Sequence, residues 1–400
     1  MEQRSDYLVI GAGIIGLAIA RELKFRFPHA EILVIDKEPD VAYHGSGRNS
    51  GVLHAGFYYS ADSLKAKFTR DGNVQLKEYC KKNNLRLNEC HKVVVAKDES
   101  EIEGIYELER RGKRNCVDVK VITEAEMKEI DPNAKTFKIG LYSPNTATVD
   151  PTEVNIFIKN ELKGQGVKFH FSEGYKKKID GNTVLTTRGT RITAGKIINA
   201  AGLYADKIAR EFNFSTHYTI IPFKGIYLKY TKSDKPVRTN IYPVPNLKNP
   251  FLGVHFTVTV DGIIKIGPTS IPAFWRENYK GMANYRTREL FNILGWESRL
   301  FLTNAFGFRS LAFDEVKKYN KSYFVKLATN LVHSVDRSGF TDWTRPGIRA
   351  QLLDTRTLEL VMDFVVEGDQ TSIHVLNAVS PAFTSSFPFA KWVVENYVIK

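Results

Sequence analysis

Three glycines carry the first legible chemistry of this chain. Tyr7-Leu8-Val9-Ile10 runs into Gly11-Ala12-Gly13-Ile14-Ile15-Gly16, and an apolar-periodic stretch follows over residues 17–23. Strand, glycine turn and helix in that order make a phosphate-binding turn: Gly11 permits the tight bend, Gly13 lets a diphosphate reach the backbone, and Gly16 lets the helix pack closely on the strand. The helix opens near Ile14, offering unpaired N–H groups and the positive end of its dipole to phosphate oxygens. A second apolar strand, Glu31-Ile32-Leu33-Val34-Ile35, ends at Asp36-Lys37. An acid there accepts hydrogen bonds from ribose hydroxyls. A glycine triplet alone reads as an ordinary turn; strand, helix, second strand and terminal acid together read as a dinucleotide site.

The elements that position this site come from distant parts of the chain. Its 400 residues, 43% of them hydrophobic, suffice for two cores, since single cores stop growing near ~250 to 300 residues. No repeat or low-complexity linker separates two halves, so the domains are expected to interleave. Residues 153–162 read as a helix closed by Gly164 and Gly166, followed by the strand Val167-Lys168-Phe169-His170-Phe171 and a hairpin around Asp180-Gly181-Asn182. Lys196-Ile197-Ile198-Asn199 then runs into Ala200-Ala201-Gly202. Small residues at a strand end let backbone and ligand approach closely, so Ala201 and Gly202 are expected at the same cofactor. Residues 215–335 alternate apolar and polar and are rich in aromatics, which predicts a mostly antiparallel sheet with one face free to cover a ligand. The expected fold is α/β. A Rossmann-type nucleotide-binding domain (1–75, 146–214 and 336–400) interleaves with an α+β substrate domain (76–145 and 215–335).

Composition excludes several classes. No uncharged apolar stretch reaches the ~18 residues of a membrane span, and Glu2 and Asp6 with three motif glycines argue against an export signal. Cys80, Cys90 and Cys116 have neither metal-ligand nor redox-pair spacing, so a reducing compartment and no metal site are expected. The net charge of +13 admits a nucleic acid, an anionic membrane surface or an anionic substrate as its partner, or a generally basic proteome. The cations are scattered, and Lys176-Lys177-Lys178 reads as the solvated mouth of a hairpin, which argues against nucleic acid. The expected location is the cytoplasm, either free or docked at the inner face of the membrane.

The glycine turn, the stretch His44-Gly45-Ser46-Gly47-Arg48-Asn49-Ser50-Gly51-Val52-Leu53-His54-Ala55-Gly56-Phe57-Tyr58-Tyr59 and Asn199-Ala200-Ala201-Gly202 resemble the FAD-dependent oxidoreductases of the D-amino-acid oxidase superfamily. Within it the chain is most similar to the L-2-hydroxyglutarate dehydrogenase (oxidase) family. Supporting stretches include Asn240-Ile241-Tyr242-Pro243, Phe251-Leu252-Gly253-Val254-His255, Gly347-Ile348-Arg349 and Asn377-Ala378-Val379-Ser380-Pro381-Ala382. The resemblance implies FAD rather than NAD. Its contacts would be Gly11, Gly13, Ile14, Gly16, Asp36, Lys37, Ser46, Asn49, Ser50, Gly51, Ala201, Gly202, Ser380, Ala382 and Thr384. A last helix over residues 385–397 would point its N-terminus at the flavin.

Oxidising a 2-hydroxy acid moves a hydride to flavin N5 while the hydroxyl loses a proton, so a base and a carboxylate clamp are needed. His54 fits the base by its near-neutral pKa; a structural turn histidine and covalent attachment to the flavin are its other readings. Arg349 fits the clamp, because a guanidinium meets a carboxylate with two parallel hydrogen bonds. His255, Tyr58 and Tyr242 could reach the same ligand, and Lys224 could pair a second carboxylate. The expected partners are a small anionic hydroxy acid and either oxygen or a membrane quinone as electron acceptor. An amine or amino-acid oxidase of the same superfamily is the alternative. Where relatives carry arginine in a Pro-Phe-Arg-Gly stretch this chain has Pro222-Phe223-Lys224-Gly225, Arg48 replaces an expected histidine, and Leu376 an expected arginine. These departures bear on which acid is recognised, since lysine does not reproduce a bidentate guanidinium.

Overall fold

The computed structural model describes residues 2–245, 253–378 and 380–399, so Phe251, Leu252 and Val379 of the stretches above lie outside the described residues. The described helices are α1 (Ile14–Arg26), α2 (Leu64–Lys82), α3 (Ile102–Arg114), α4 (Glu124–Ile130), α5 (Pro151–Gly164), α6 (Ala205–Glu211), α7 (Thr287–Thr303), α8 (Phe308–Lys317), α9 (Lys321–Thr329) and α10 (Ala382–Val394). None is long and apolar enough to cross a membrane.

The chain forms two compact units: Met1–Asn49, Pro151–Pro222 and Arg349–Lys400 make one, Ser50–Asp150 and Phe223–Ile348 the other. The first division falls at residue 49, not 75. Val52–Leu53 pairs with Ala147–Val149 inside the second unit, and Asn73 of α2 bonds Leu53 there.

The first unit is built on an eight-stranded sheet. Glu2–Ile10 lies parallel between Arg191–Asn199 and Ile32–Ile35, Lys168–His170 extends the parallel order, and Ser372–Asn377 runs parallel to Arg191–Asn199. The hairpin strands Tyr175–Asp180 and Thr183–Thr186 add an antiparallel edge. Leu8, Leu33, Ile35 and Ile197 are sealed from solvent in its core, as parallel strands covered on both faces require. Helix α10 packs along α1, with Arg21 4.7 Å from the centroid of the Phe387 ring. It starts at Ala382, three residues before the sequence expectation, which puts Thr384 in its first turn.

The second unit contains several small sheets, mostly antiparallel. Lys92–Val95 pairs antiparallel with Ile139–Ser143 and parallel with Asn240–Pro243. His255–Val258, Ile264–Gly267, Leu228–Tyr230 and Phe340–Trp343 form an antiparallel set. Helices α7, α8 and α9 occupy a stretch expected to be mostly antiparallel sheet. Cys80 and Cys90 are buried and Cys116 is exposed.

Candidate active site

The glycine turn of the first unit is built to a tolerance that admits no side chain. Gly11 has φ +106°, and a Cβ there would stand 2.6 Å from the Ala200 carbonyl oxygen. One at Gly16 would stand 1.9 Å from the Gly11 carbonyl, and one at Gly13 3.0 Å from Ser46 Oγ. Helix α1 then begins with no side-chain cap at Gly13 and no acid in its first turn, leaving its dipole uncompensated and fit for an anion. Ser46 Oγ accepts from Ile14 N at 2.8 Å, which leaves the hydroxyl proton to donate onward.

Asp36 braces the same turn: one carboxylate oxygen accepts from Ala12 N at 2.7 Å and the other from Glu38 N at 2.9 Å. Burial raises its pKa, against those two bonds. Each oxygen keeps a lone pair, so the acid can still accept from a ribose hydroxyl. The Lys37 amine lies on Glu38 and, at 2.9 Å, on His44 Nε2; Glu38 is held at about 2, foremost by its bond to His44. Asn49 Nδ2 ties Gly45 O and Ser46 O at 3.1 and 2.9 Å. Ala200 N donates to Ile10 O at 2.9 Å, which brings Ala201 and Gly202 to the turn, and a Cβ at Gly202 would meet nothing. Ser380 is exposed, Ala382 half-buried and Thr384 buried at the start of α10. Ser50 and Gly51 belong to the second unit, where Gly51 O accepts from Val149 N at 2.9 Å. A cradle that only glycine fills, a helix end without carboxylate and a half-buried acid after the second strand fit a dinucleotide such as FAD.

In the second unit four residues singled out in the sequence meet around a fifth that was not. His54 follows the short strand Val52–Leu53 and is buried. Lys92 Nζ stands 3.4 Å from its Nδ1. That lysine is wholly enclosed, with its ammonium 4.0 Å from the Tyr242 ring centroid, 5.1 Å from Tyr58 and 5.8 Å from Phe57. Rings stabilise a cation through their negative faces, yet among the described residues no carboxylate pairs with it. Burial therefore pulls the amine from 10.5 down to about 7. His54 is driven well below 6.5 by burial first, then by Lys92 and His255, so its imidazole is neutral at pH 7. The His255 ring stacks on Tyr242 with centroids 3.6 Å apart and planes 17° from parallel, and its Nδ1 lies 2.8 Å from Gly253 O. The Tyr58 hydroxyl is buried without a hydrogen-bond partner among the described residues.

The loop carrying His54 and Tyr58 is pinned through its own carbonyls. Asn73 Nδ2 donates to Leu53 O at 3.0 Å, Asn115 Nδ2 to Gly56 O and Tyr59 O at 3.0 Å each, and Arg111 to Tyr58 O at 2.9 Å. Gly56, at φ +103°, lets this loop pass α2, since a Cβ would stand 3.1 Å from Arg70 N. Lys224 donates to Asn278 Oδ1 at 3.2 Å, its pKa lowered by burial. Arg349 belongs to the first unit, half-buried in the strand Gly347–Asp354.

The two halves of this chemistry define a flavoprotein oxidoreductase: the chain belongs to the FAD dependent oxidoreductase (DAO) family, which it matches over residues 6–396. It is 35% identical to the mitochondrial L-2-hydroxyglutarate dehydrogenase of Nematostella vectensis, over 98% of this chain and 90% of that protein. It is 33% identical to the human mitochondrial enzyme of that name, over 98% of this chain and 88% of that protein. Among solved structures it resembles the L-alpha-glycerophosphate oxidase of Mycoplasma pneumoniae, with a TM-score of 0.75, 20% identity and coverage of 99% and 95% of the two chains. The glycine oxidase of Geobacillus kaustophilus gives 0.71 at 16% identity, with 99% and 95% covered. These likenesses to solved structures establish the fold.

Proposed function

We propose that this enzyme oxidises a small L-2-hydroxy acid to the 2-oxo acid, with L-2-hydroxyglutarate as the substrate. The observation that carries the reading is the pairing of a buried neutral His54 with Lys92, in a chain 35% identical to an L-2-hydroxyglutarate dehydrogenase. Bound FAD supplies a two-electron acceptor for the hydride leaving C2. The protein supplies the rest.

With Lys92 as an ammonium, it donates to Nδ1 and the His54 proton sits on Nε2, where it blocks the base. Once Lys92 is a neutral amine, it accepts from Nδ1–H, and the Nε2 lone pair can take the hydroxyl proton. The imidazolium so formed keeps its hydrogen bond to the amine. Lys92 is thus a positioning residue that sets the tautomer of the base. Arg349 of the first unit has the planar guanidinium that a carboxylate clamp with two parallel bonds needs; in the second unit Lys224 and the Tyr58 hydroxyl, unpartnered among the described residues, have the chemistry to serve other polar groups of an acid. Electrons then pass to oxygen or a membrane quinone.

Anaerobic mixing with L-2-hydroxyglutarate should bleach the flavin absorbance. A spectrum unchanged by every 2-hydroxy acid, but bleached by glycine or sarcosine, would move the assignment to C–N oxidation.

A further inference from the structure

Helices α7 and α8 of the second unit expose large apolar side chains while burying carboxylates. Ten of the nineteen large apolar side chains exposed among the described residues fall between residues 274 and 319. Phe291 is 69% exposed, Leu302 73%, Phe313 59% and Val316 56%. The face that α7 buries holds Glu289 and Glu297 beside Ile293 and Leu300, and α8 buries Glu315 with Phe308. An amphipathic helix in water keeps its large apolar side chains on the buried face and its acids outside. Among the described residues Glu297 Oε1 is buried without a partner, and burial lifts that carboxyl to about 8, so it adds no negative charge at neutral pH.

The exposed apolar groups are contiguous where α7 meets α8. The Phe301 and Phe313 rings meet edge to face at 6.0 Å, and Arg309 caps the end of α7 through Phe301 O and Leu302 O, both at 2.7 Å. The turn between the helices holds Phe306 at φ 43° with its ring 41% exposed, a backbone conformation that bulky residues rarely adopt. Charge on this surface is one-sided. Over residues 280–326 eight lysines and arginines are exposed, among them Arg288, Arg299, Lys317 and Lys321, against one exposed acid, Asp314.

We propose that the α7–α8 face docks the protein onto an anionic lipid surface, aromatic and aliphatic side chains entering the headgroup layer and the surrounding cations meeting the lipid phosphates. Peripheral proteins bind by this combination of buried apolar area and basic rim. A second copy would bring the same excess of positive charge, which argues against self-association, whereas anionic lipid is complementary. The docking stands independently of which acid is oxidised, and gives the quinone branch of the proposed function a place to occur.

Cosedimentation of the full-length flavoprotein with vesicles tests it. Binding is expected to vesicles of phosphatidylcholine with phosphatidylglycerol, weakening with salt, and to be much poorer on phosphatidylcholine alone. Leu302→Ser with Phe313→Ser should lower the partition coefficient at least about tenfold, and Arg299→Gln with Lys317→Gln about 25-fold at roughly fivefold per cation. Both pairs should retain the parental flavin spectrum and substrate bleaching, which shows that they fold. The proposal is overturned by equal affinity for neutral vesicles or by variants that bind like the parent. It is overturned equally if sedimentation velocity shows these substitutions dissolving a dimer, or if the same residues instead retain an oligonucleotide.

Discussion

Lys92→Met removes an ammonium from an enclosure of rings while keeping the length of the side chain. An amine carried from 10.5 to about 7 by burial corresponds to about 5 kcal/mol against the charged form. The ring contacts return about 2 kcal/mol of that, so methionine should stabilise its unit by about 2 to 3 kcal/mol at pH 7. The sign follows from proton counts. Between pH 7 and 10.5 the unfolded chain keeps the proton that the folded chain has lost, so parental stability climbs with pH through that window. The advantage of methionine is therefore greatest at or below pH 7 and fades toward pH 10. At about 2–4 °C per kcal/mol, thermal unfolding at pH 7 should shift up by about 5 to 10 °C. Catalysis should move the other way. Without an amine to hold the proton on Nδ1, anaerobic flavin reduction should slow by about 10- to 100-fold, part of the ~10² to 10⁴ that a general base supplies. The acidic limb of kcat/KM should shift from near 7 to below 6.5, where His54 alone titrates. A variant that melts lower at every pH and reduces its flavin at the parental rate would refute the reasoning.

His54→Gln should slow flavin reduction by ~10² to 10⁴ with the bound-flavin spectrum intact; parental reduction in stopped flow would exclude the base assignment. Gly11→Ala places a methyl 2.6 Å from Ala200 O at φ +106°, so the purified protein should be colourless and take up FAD poorly by fluorescence titration. Arg349→Lys keeps the charge and loses the fork, and should raise the apparent Kd in a bleaching titration about tenfold to a hundredfold, as loss of a charged hydrogen bond of about 1.5–3 kcal/mol implies. An unchanged Kd would remove Arg349 from the clamp.

Local signals made the first unit legible. Strand, glycine turn, helix and terminal acid lie within residues 7–36, and the small residues after Asn199 marked the strand that returns to them. The antiparallel character of the second unit was also readable from alternation. Helices α7 and α8 were not, because their exposed faces carry phenylalanine and leucine where a helical period should show polar residues. Lys92 was missed for a related reason: a lysine opening the run Val93-Val94-Val95-Ala96 reads as the wet end of a strand. Only the packing of Phe57, Tyr58 and Tyr242 shows it sealed. The amides of Asn73 and Asn115 lie 20 to 72 residues from the carbonyls they hold, and no local pattern announces such pairs.

Those amides have a consequence for how this enzyme can change. The segment bearing His54 is suspended from α2 and α3 by its main chain, so its aim is independent of whichever side chains line the ligand's path. Mutational drift in the lining can retune substrate preference while the proton acceptor keeps its bearing. Damage to either helix would instead disable turnover with affinity for the acid intact, an outcome that a survey of inactive variants confined to ligand contacts would never uncover.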